Sequence, residues 1–250
     1  MKTCVLDIET IPNAAAITQA GADPTAGFPA WSLHELACVS ILTVEQDAMA
    51  HPTFAITTYS RFNLGERGIV ASVERAISDA FEVVTYNGRG FDVPVLLTRA
   101  AVAGESAPTI TRLHAQGRYT RGTHVDLLEE VTGHGAAPKL RLLDLCSAFG
   151  IAVKQDCAGD GVATLVEEGA WPKVAAYCET DVTVTWLALQ YWRSAERAAP
   201  EMIVESWTRL ASWIRQGGEA LAHLALYAKP PAFFGGGAIL GEVDFAELGL

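Results

Sequence analysis

Val5-Leu6-Asp7-Ile8-Glu9-Thr10 continues an apolar run from Cys4 and sets two carboxylates two positions apart within it. In an extended strand, residues i and i+2 point to the same face. Asp7 and Glu9 therefore project side by side from what reads as the buried first strand of a sheet. Two like charges on a core strand are costly unless something cationic lies between them. Hard oxygen ligands in this arrangement suit Mg2+ or Mn2+. The pair alone equally fits an ordinary solvated strand end, so its meaning depends on carboxylates supplied from later in the chain.

The length of 250 residues suits one sizeable domain, or one domain plus an appendage. Half of the residues are apolar, enough for a substantial core. A net charge of −11 argues against a nucleic-acid coat protein, whose affinity would come from Lys and Arg meeting phosphates. It leaves room for an enzyme that meets phosphates through bound metal ions, which reverse the local field. Cys4, Cys38, Cys146, Cys157 and Cys178 form no C-x-x-C pair and sit in apolar runs, which reads as reduced thiols in a cytoplasmic protein. The first apolar run is broken by Asp7 and is too short for a signal peptide, and no stretch of about twenty apolar residues would span a membrane.

Downstream of Glu9, residues 10–33 are rich in Ala, Gly and Pro and read as a long loop, either a flap beside the carboxylates or a surface insertion. Leu36 to Val44 and Phe54 to Tyr59 read as strands. The spacing of Ile69, Val70, Val73, Ala76, Ile77, Ala80 and Phe81 predicts an amphipathic helix, and Val83 to Tyr86 a fourth strand. This order points to a mixed α/β sheet. The fourth strand runs into Asn87-Gly88-Arg89-Gly90-Phe91-Asp92-Val93-Pro94. Its glycines permit a sharp turn, and the following helix places Asp92 at its N-terminal end, where the dipole favours a carboxylate. Asp92 there is a helix cap, a site residue, or both. Arg112, Arg118 and Arg121, with His114 and His124, make the one basic segment, read as a loop that either grips phosphates or is simply exposed. Asp126 reads as orienting the chain more than as a further site carboxylate.

Helices are expected from Pro138 to Phe149, from Val162 to Glu168, and from Pro172 onward. On the last, Tyr177 and Asp181 are four apart and share a face. From Ala198 the chain changes character, with an amphipathic helix over Ile203 to Ile214, a second over Glu219 to Tyr227 and an apolar tail. We divide the chain into a domain over 1–195 and a helical extension over 196–250.

Asp7-x-Glu9, Asn87-x-x-x-Phe91-Asp92 and Tyr177-x-x-x-Asp181, in this order, resemble the three motifs of the DEDD-type 3′→5′ exonucleases, in the branch that carries tyrosine in the last motif. Asp-Ile-Glu-Thr-Ile-Pro, Tyr-Asn-Gly-Arg-Gly-Phe-Asp-Val-Pro-Val-Leu and Ala-Ala-Tyr-Cys-Glu-Thr-Asp-Val are similar to predicted exonucleases related to the proofreading domain of family-B DNA polymerases. Lys139-Leu140 to Gly150 resembles that family's Lys-Leu helix. The likeness spans 1–195 and implies a ribonuclease-H-like fold, an α/β mixed sheet flanked by helices.

It also implies metal-dependent hydrolysis of phosphodiester bonds from the 3′ end of single-stranded nucleic acid, DNA favoured, with two Mg2+ or Mn2+ ions. By resemblance, Asp7, Glu9 and Asp181 hold the ion that activates water, Asp7 and Asp92 share the second, and Tyr177 orients the attacking water. Asn87, Arg89 and Phe91 are candidates for supporting the turn or meeting the substrate. Partners follow as a DNA or RNA 3′ end and no membrane, with the C-terminal helices as a candidate surface for a second copy or another protein. Competing readings are an exoribonuclease and a catalytically silent scaffold that retains the fold. A dinucleotide-binding oxidoreductase would need G-x-G-x-x-G where Asp-Ile-Glu-Thr-Ile-Pro stands.

Overall fold

The apolar β-branched runs of the sequence become the strands of one sheet, and the spaced apolar residues become the helices that cover it. The computed structural model describes residues 1–23, 27–46, 51–120, 122–153 and 161–230. The elements in order are β1 (Lys2–Pro12), α1 (Ala14–Ala20), a 3-10 turn (Trp31–Leu33), β2 (His34–Glu45), β3 (Thr53–Ser60), α2 (Arg61–Ile77), β4 (Glu82–Thr85), α3 (Asp92–Ala103), α4 (Pro108–Ala115), β5 (His124–Asp126), α5 (Leu127–Val131), α6 (Leu142–Ala148), α7 (Gly161–Glu167), α8 (Trp171–Glu196), α9 (Glu201–Gly217) and a 3-10 segment (Gly218–Ala228). The strands form one mixed sheet in the order β3-β2-β1-β4-β5. β1, β2 and β3 pair antiparallel, while β4 and β5 run parallel to β1.

Strand alternation decides what each face carries. Cys4, Leu6 and Ile8 point to one face, where they pack with Ile69, Val70, Val73 and Ile77 of α2, Val93 and Leu96 of α3, and Ile110 and Leu113 of α4. Asp7 and Glu9 point to the other. There Cys38, paired in register with Glu9, packs with Val162 of α7 and Val174 and Cys178 of α8. The register shifts between Glu9 and Thr10, a local irregularity of the kind that re-aims side chains at sites.

The expected strands are all present, but several boundaries differ. Residues 10–33 are not one loop: β1 continues to Pro12, and α1 follows, capped by the Asn13 side chain, which accepts from the Ala16 N–H at 2.9 Å, and closed by Gly21 at φ 63°. Residues 24–26 lie outside the described ones. α2 begins at Arg61, eight residues before the apolar period is visible, because Ser60 caps it, and it stops at Ile77. α4 was hidden in the basic segment; Pro108 stands in its first turn and Ile110 and Leu113 are its buried face. Residues 138–141 precede α6 rather than join it, and the second C-terminal helix is 3-10. The apolar tail over 231–250 lies outside the described residues.

The chain divides into two compact units, Met1–Lys139 with Gln155–Thr185, and Leu140–Lys154 with Trp186–Leu250, so the division falls inside α8. The first holds the sheet. In the second, α9 buries Ile203, Trp207, Leu210, Ala211 and Ile214. The Trp207 indole N–H donates to the Tyr227 carbonyl at 2.9 Å, and Phe149 stacks on Tyr191 with ring centroids 5.0 Å apart. Among the described residues no helix is long and apolar enough to cross a membrane.

Candidate active site

β1 contributes Asp7 and Glu9 on the face covered by α7 and α8. Glu9 is buried and Asp7 half-buried. The Cys178 thiol donates to the Asp7 carbonyl at 3.4 Å and lies 3.5 Å from Asp7 Oδ2. One ligand atom each from Asp7, Glu9 and Cys178 lie within 4.8 Å of one another, an arrangement that could hold a metal ion. Cys178 was not legible as a site residue, since a cysteine in an apolar helix reads as core. What singles it out is spatial, the contact of its thiol with Asp7.

Asp92 reaches the pair from the turn between β4 and α3. The turn before it is tightly built. Asn87 takes a left-handed conformation (φ 64°), and its N–H and that of Arg89 donate to the two Asp126 carboxylate oxygens at 2.9 Å each. Gly88 presses against Thr85, where an added Cβ would meet Oγ1 at 2.3 Å. The third candidate carboxylate follows at once: Asp92 is the first residue of α3, is 4% exposed, and accepts from the Ile8 N–H between Asp7 and Glu9. The N-cap position belongs to Phe91 and has no side-chain cap bond, so Asp92 opens the helix without capping it. Asp126, by contrast, orients the chain, as its three backbone donors show.

α8 supplies Asp181 and, one turn earlier on the same face, Tyr177. Tyr177 is half-buried against the cluster of Ala37, Cys38, Val174 and Cys178. The helix is held to the sheet by Glu179, which accepts from the Thr58 hydroxyl at 2.6 Å; that hydroxyl in turn lies 2.7 Å from Ser40 Oγ, and Ser40 pairs with Asp7.

The electrostatics follow from this crowding. Burial, and then the charges of Asp92, Asp181 and Glu9, push Asp7 well above the usual carboxylate range. Burial and then the Asp181 charge do the same to Glu9. Burial raises Asp92 to about 7, opposed by its own N–H and that of Ile8, and burial raises Asp181 to about 7. Four carboxylates raised by burial, Asp7 and Glu9 also by their acidic neighbours, present hard oxygens that fit divalent cations, which would offset the charge. The thiol among them adds a softer donor.

Other candidate residues stand apart from this cluster. Arg89 is engaged inside the fold: Nη1 donates to the Gln116 carbonyl at 2.7 Å, Nη2 to the His124 carbonyl at 3.2 Å, and Nε faces Glu129 at 3.2 Å. Asn87 Oδ1 accepts from Lys139 Nζ at 3.1 Å. Both serve the turn. Phe91 lies against Phe28 and His34, with ring centroids 5.7 and 5.6 Å away. In the basic segment Arg118 pairs with Glu129 and Arg112 donates to Thr109 Oγ1, while Arg121 lies outside the described residues.

A family profile described as predicted 3′-5′ exonuclease related to the exonuclease domain of PolB matches residues 27–230. The chain belongs to this exonuclease family. The match takes in Asp92, Tyr177 and Asp181, and Asp7 and Glu9 precede it. Among solved structures the chain is similar to the family B DNA polymerase from the hyperthermophilic archaeon Pyrobaculum calidifontis, with a TM-score of 0.54, 14% identity, and coverage of 88% of this chain and 29% of that one. It thus spans less than a third of the polymerase chain. A product-bound exonuclease I aligns with a TM-score of 0.42 and 14% identity, over 76% of this chain and 46% of its own. No curated protein matches. The likeness to the polymerase shows the fold, a ribonuclease-H-like mixed sheet with flanking helices.

Proposed function

We propose that this member of the family is a divalent-cation-dependent 3′→5′ exonuclease acting on single-stranded nucleic acid, DNA favoured. The observation that carries the reading is the convergence of Asp7, Glu9, Asp92 and Asp181 from three separate segments, with Asp92 bonded to the backbone between the first two. Asp7, Glu9, Asp92 and Asp181 would hold two Mg2+ or Mn2+ ions. Bound there, such ions supply Lewis acidity for both the attacking water and the departing 3′ oxygen. Water attacks the terminal phosphorus in line, the P–O3′ bond breaks, and a 5′-mononucleotide leaves a new 3′-hydroxyl behind. Tyr177 orients the water through its hydroxyl; a phenol with a reference pKa near 10 is a poor base at neutral pH. The Cys178 thiol keeps Asp7 in place. Arg89 and Asn87 hold the turn that aims Asp92, and Phe91 offers a ring edge beside it.

The test is a 5′-labelled single strand, as DNA and as RNA, incubated with Mg2+ or Mn2+. Progressive shortening from the 3′ end, lost in Asp7→Ala and Asp181→Ala variants that keep their circular dichroism, is the expected result. Shortening of RNA alone would make the chain an exoribonuclease. No shortening of either by folded wild-type protein would favour a silent scaffold.

A further inference from the structure

Phe62 is 70% exposed, far more than a ring of its size needs to be, and it does not stand alone. It stacks on Trp171, with ring centroids 5.8 Å apart and planes 28° from parallel. Trp171 is itself half-buried against the cluster of Val174, Cys178 and Tyr177, which fixes the platform in place. Two lengths through its attachments give the scale of its separation from the carboxylates. Across the sheet, Glu9 pairs with Cys38 and Cys38 with Ser60, one row across three strands. At ~4.8 Å per strand, Ser60 is about 10 Å from Glu9, and Phe62 follows two residues later. Along α8, Trp171 precedes Tyr177 by six residues, about 9 Å at 1.5 Å per residue. Either length corresponds to about three stacked nucleotides at ~3.4 Å each.

Resting on the exonuclease reading, we propose that Phe62, backed by Trp171, is a stacking platform for a base of the single strand upstream of the terminal nucleotide. Charge favours this source of affinity over phosphate contacts. The chain carries −11, and Arg61, next to Phe62, is paired with Glu35, which leaves Lys173, two residues after Trp171, as a single nearby cation. A flat apolar ring grips any base through its π-face and needs no backbone charge, so the platform holds the strand without reading sequence.

The test compares wild type, Phe62→Ala and Phe62→Trp on two substrates with Mn2+: an oligothymidylate, and the p-nitrophenyl ester of thymidine 5′-monophosphate, which is too short to reach the platform. Base stacking of ~1–3 kcal/mol predicts that Phe62→Ala lowers kcat/KM for the oligonucleotide by roughly 5- to 150-fold, through KM. The ester rate stays put, and Phe62→Trp restores the oligonucleotide rate. An equal loss on both substrates, or no loss on the oligonucleotide, overturns the platform. Wild-type protein that hydrolyses neither substrate sinks the exonuclease reading instead. The platform is then judged by fluorescence anisotropy of a labelled oligothymidylate in EDTA, where Phe62→Ala must weaken binding by the same factor, and unchanged binding rejects it.

Discussion

Burial raises Asp92 and Asp181 to about 7 in the folded chain against 3.8 for an ordinary aspartate. Between those values the folded state holds protons that the unfolded state has released, so stability falls as pH rises. Metal-free protein is therefore expected to be most stable below about pH 4, as far as this cluster is concerned, and to lose that contribution through pH 7. A thermal-shift series from pH 4 to 8 in EDTA checks the sign. Asp181→Asn should raise the metal-free melting temperature at pH 8, by about 2–4 °C per kcal/mol, while removing the stabilisation that Mn2+ gives the wild type. At this scale the placement of the candidate residues was legible: alternation put Asp7 and Glu9 on one face, helical spacing put Tyr177 and Asp181 on one face, and the Gly-rich turn put Asp92 at the start of a helix. Cys178 was not, because nothing local separates a thiol facing a carboxylate from one facing Val174.

The turn between β4 and α3 carries the next scale, since Asp92 is only as well aimed as the backbone before it. Gly88→Ala would drive a Cβ into Thr85, which is fully buried. Such overpacking costs ~1–3 kcal/mol, visible as a lowered urea midpoint with an unchanged slope, and kcat should fall as Asp92 shifts. Asp126→Ala removes the acceptor of the Asn87, Arg89 and Leu128 N–H groups. Leaving buried donors unpaired should cost about 1–3 kcal/mol and lower kcat more than KM, although Asp126 touches no substrate. Four of the five strands were readable because apolar β-branched runs announce themselves; β5 was not, because His124-Val125-Asp126 is three residues long with one apolar member. α1 was not, because Ala14-Ala15-Ala16 offers no contrast between faces, and α4 was not, because Thr109-Ile110-Thr111 has weak helix propensity and its glycine-flanked arginines suggested a loop.

For the whole molecule the governing quantity is charge. Arg89, Arg99 and Arg118 are engaged with Glu129 and Glu66, and a net charge of −11 opposes the approach of phosphates. The affinity for a single strand should therefore depend weakly on salt, with a log–log slope between about 0 and −2, read from anisotropy over a KCl series. A steeper slope would indicate an extended phosphate track. The grouping of Leu140–Lys154 with the C-terminal helices had no signal in the sequence, because long-range packing of that kind leaves no local period. What the whole fold achieves is the meeting of β1, the β4–α3 turn and α8 at one point. Manganese binding followed by electron paramagnetic resonance tests that claim most directly. Two ions per wild-type chain, with binding lost in Asp7→Ala, is the predicted result; a folded wild-type protein that binds no Mn2+ at millimolar concentration would contradict it.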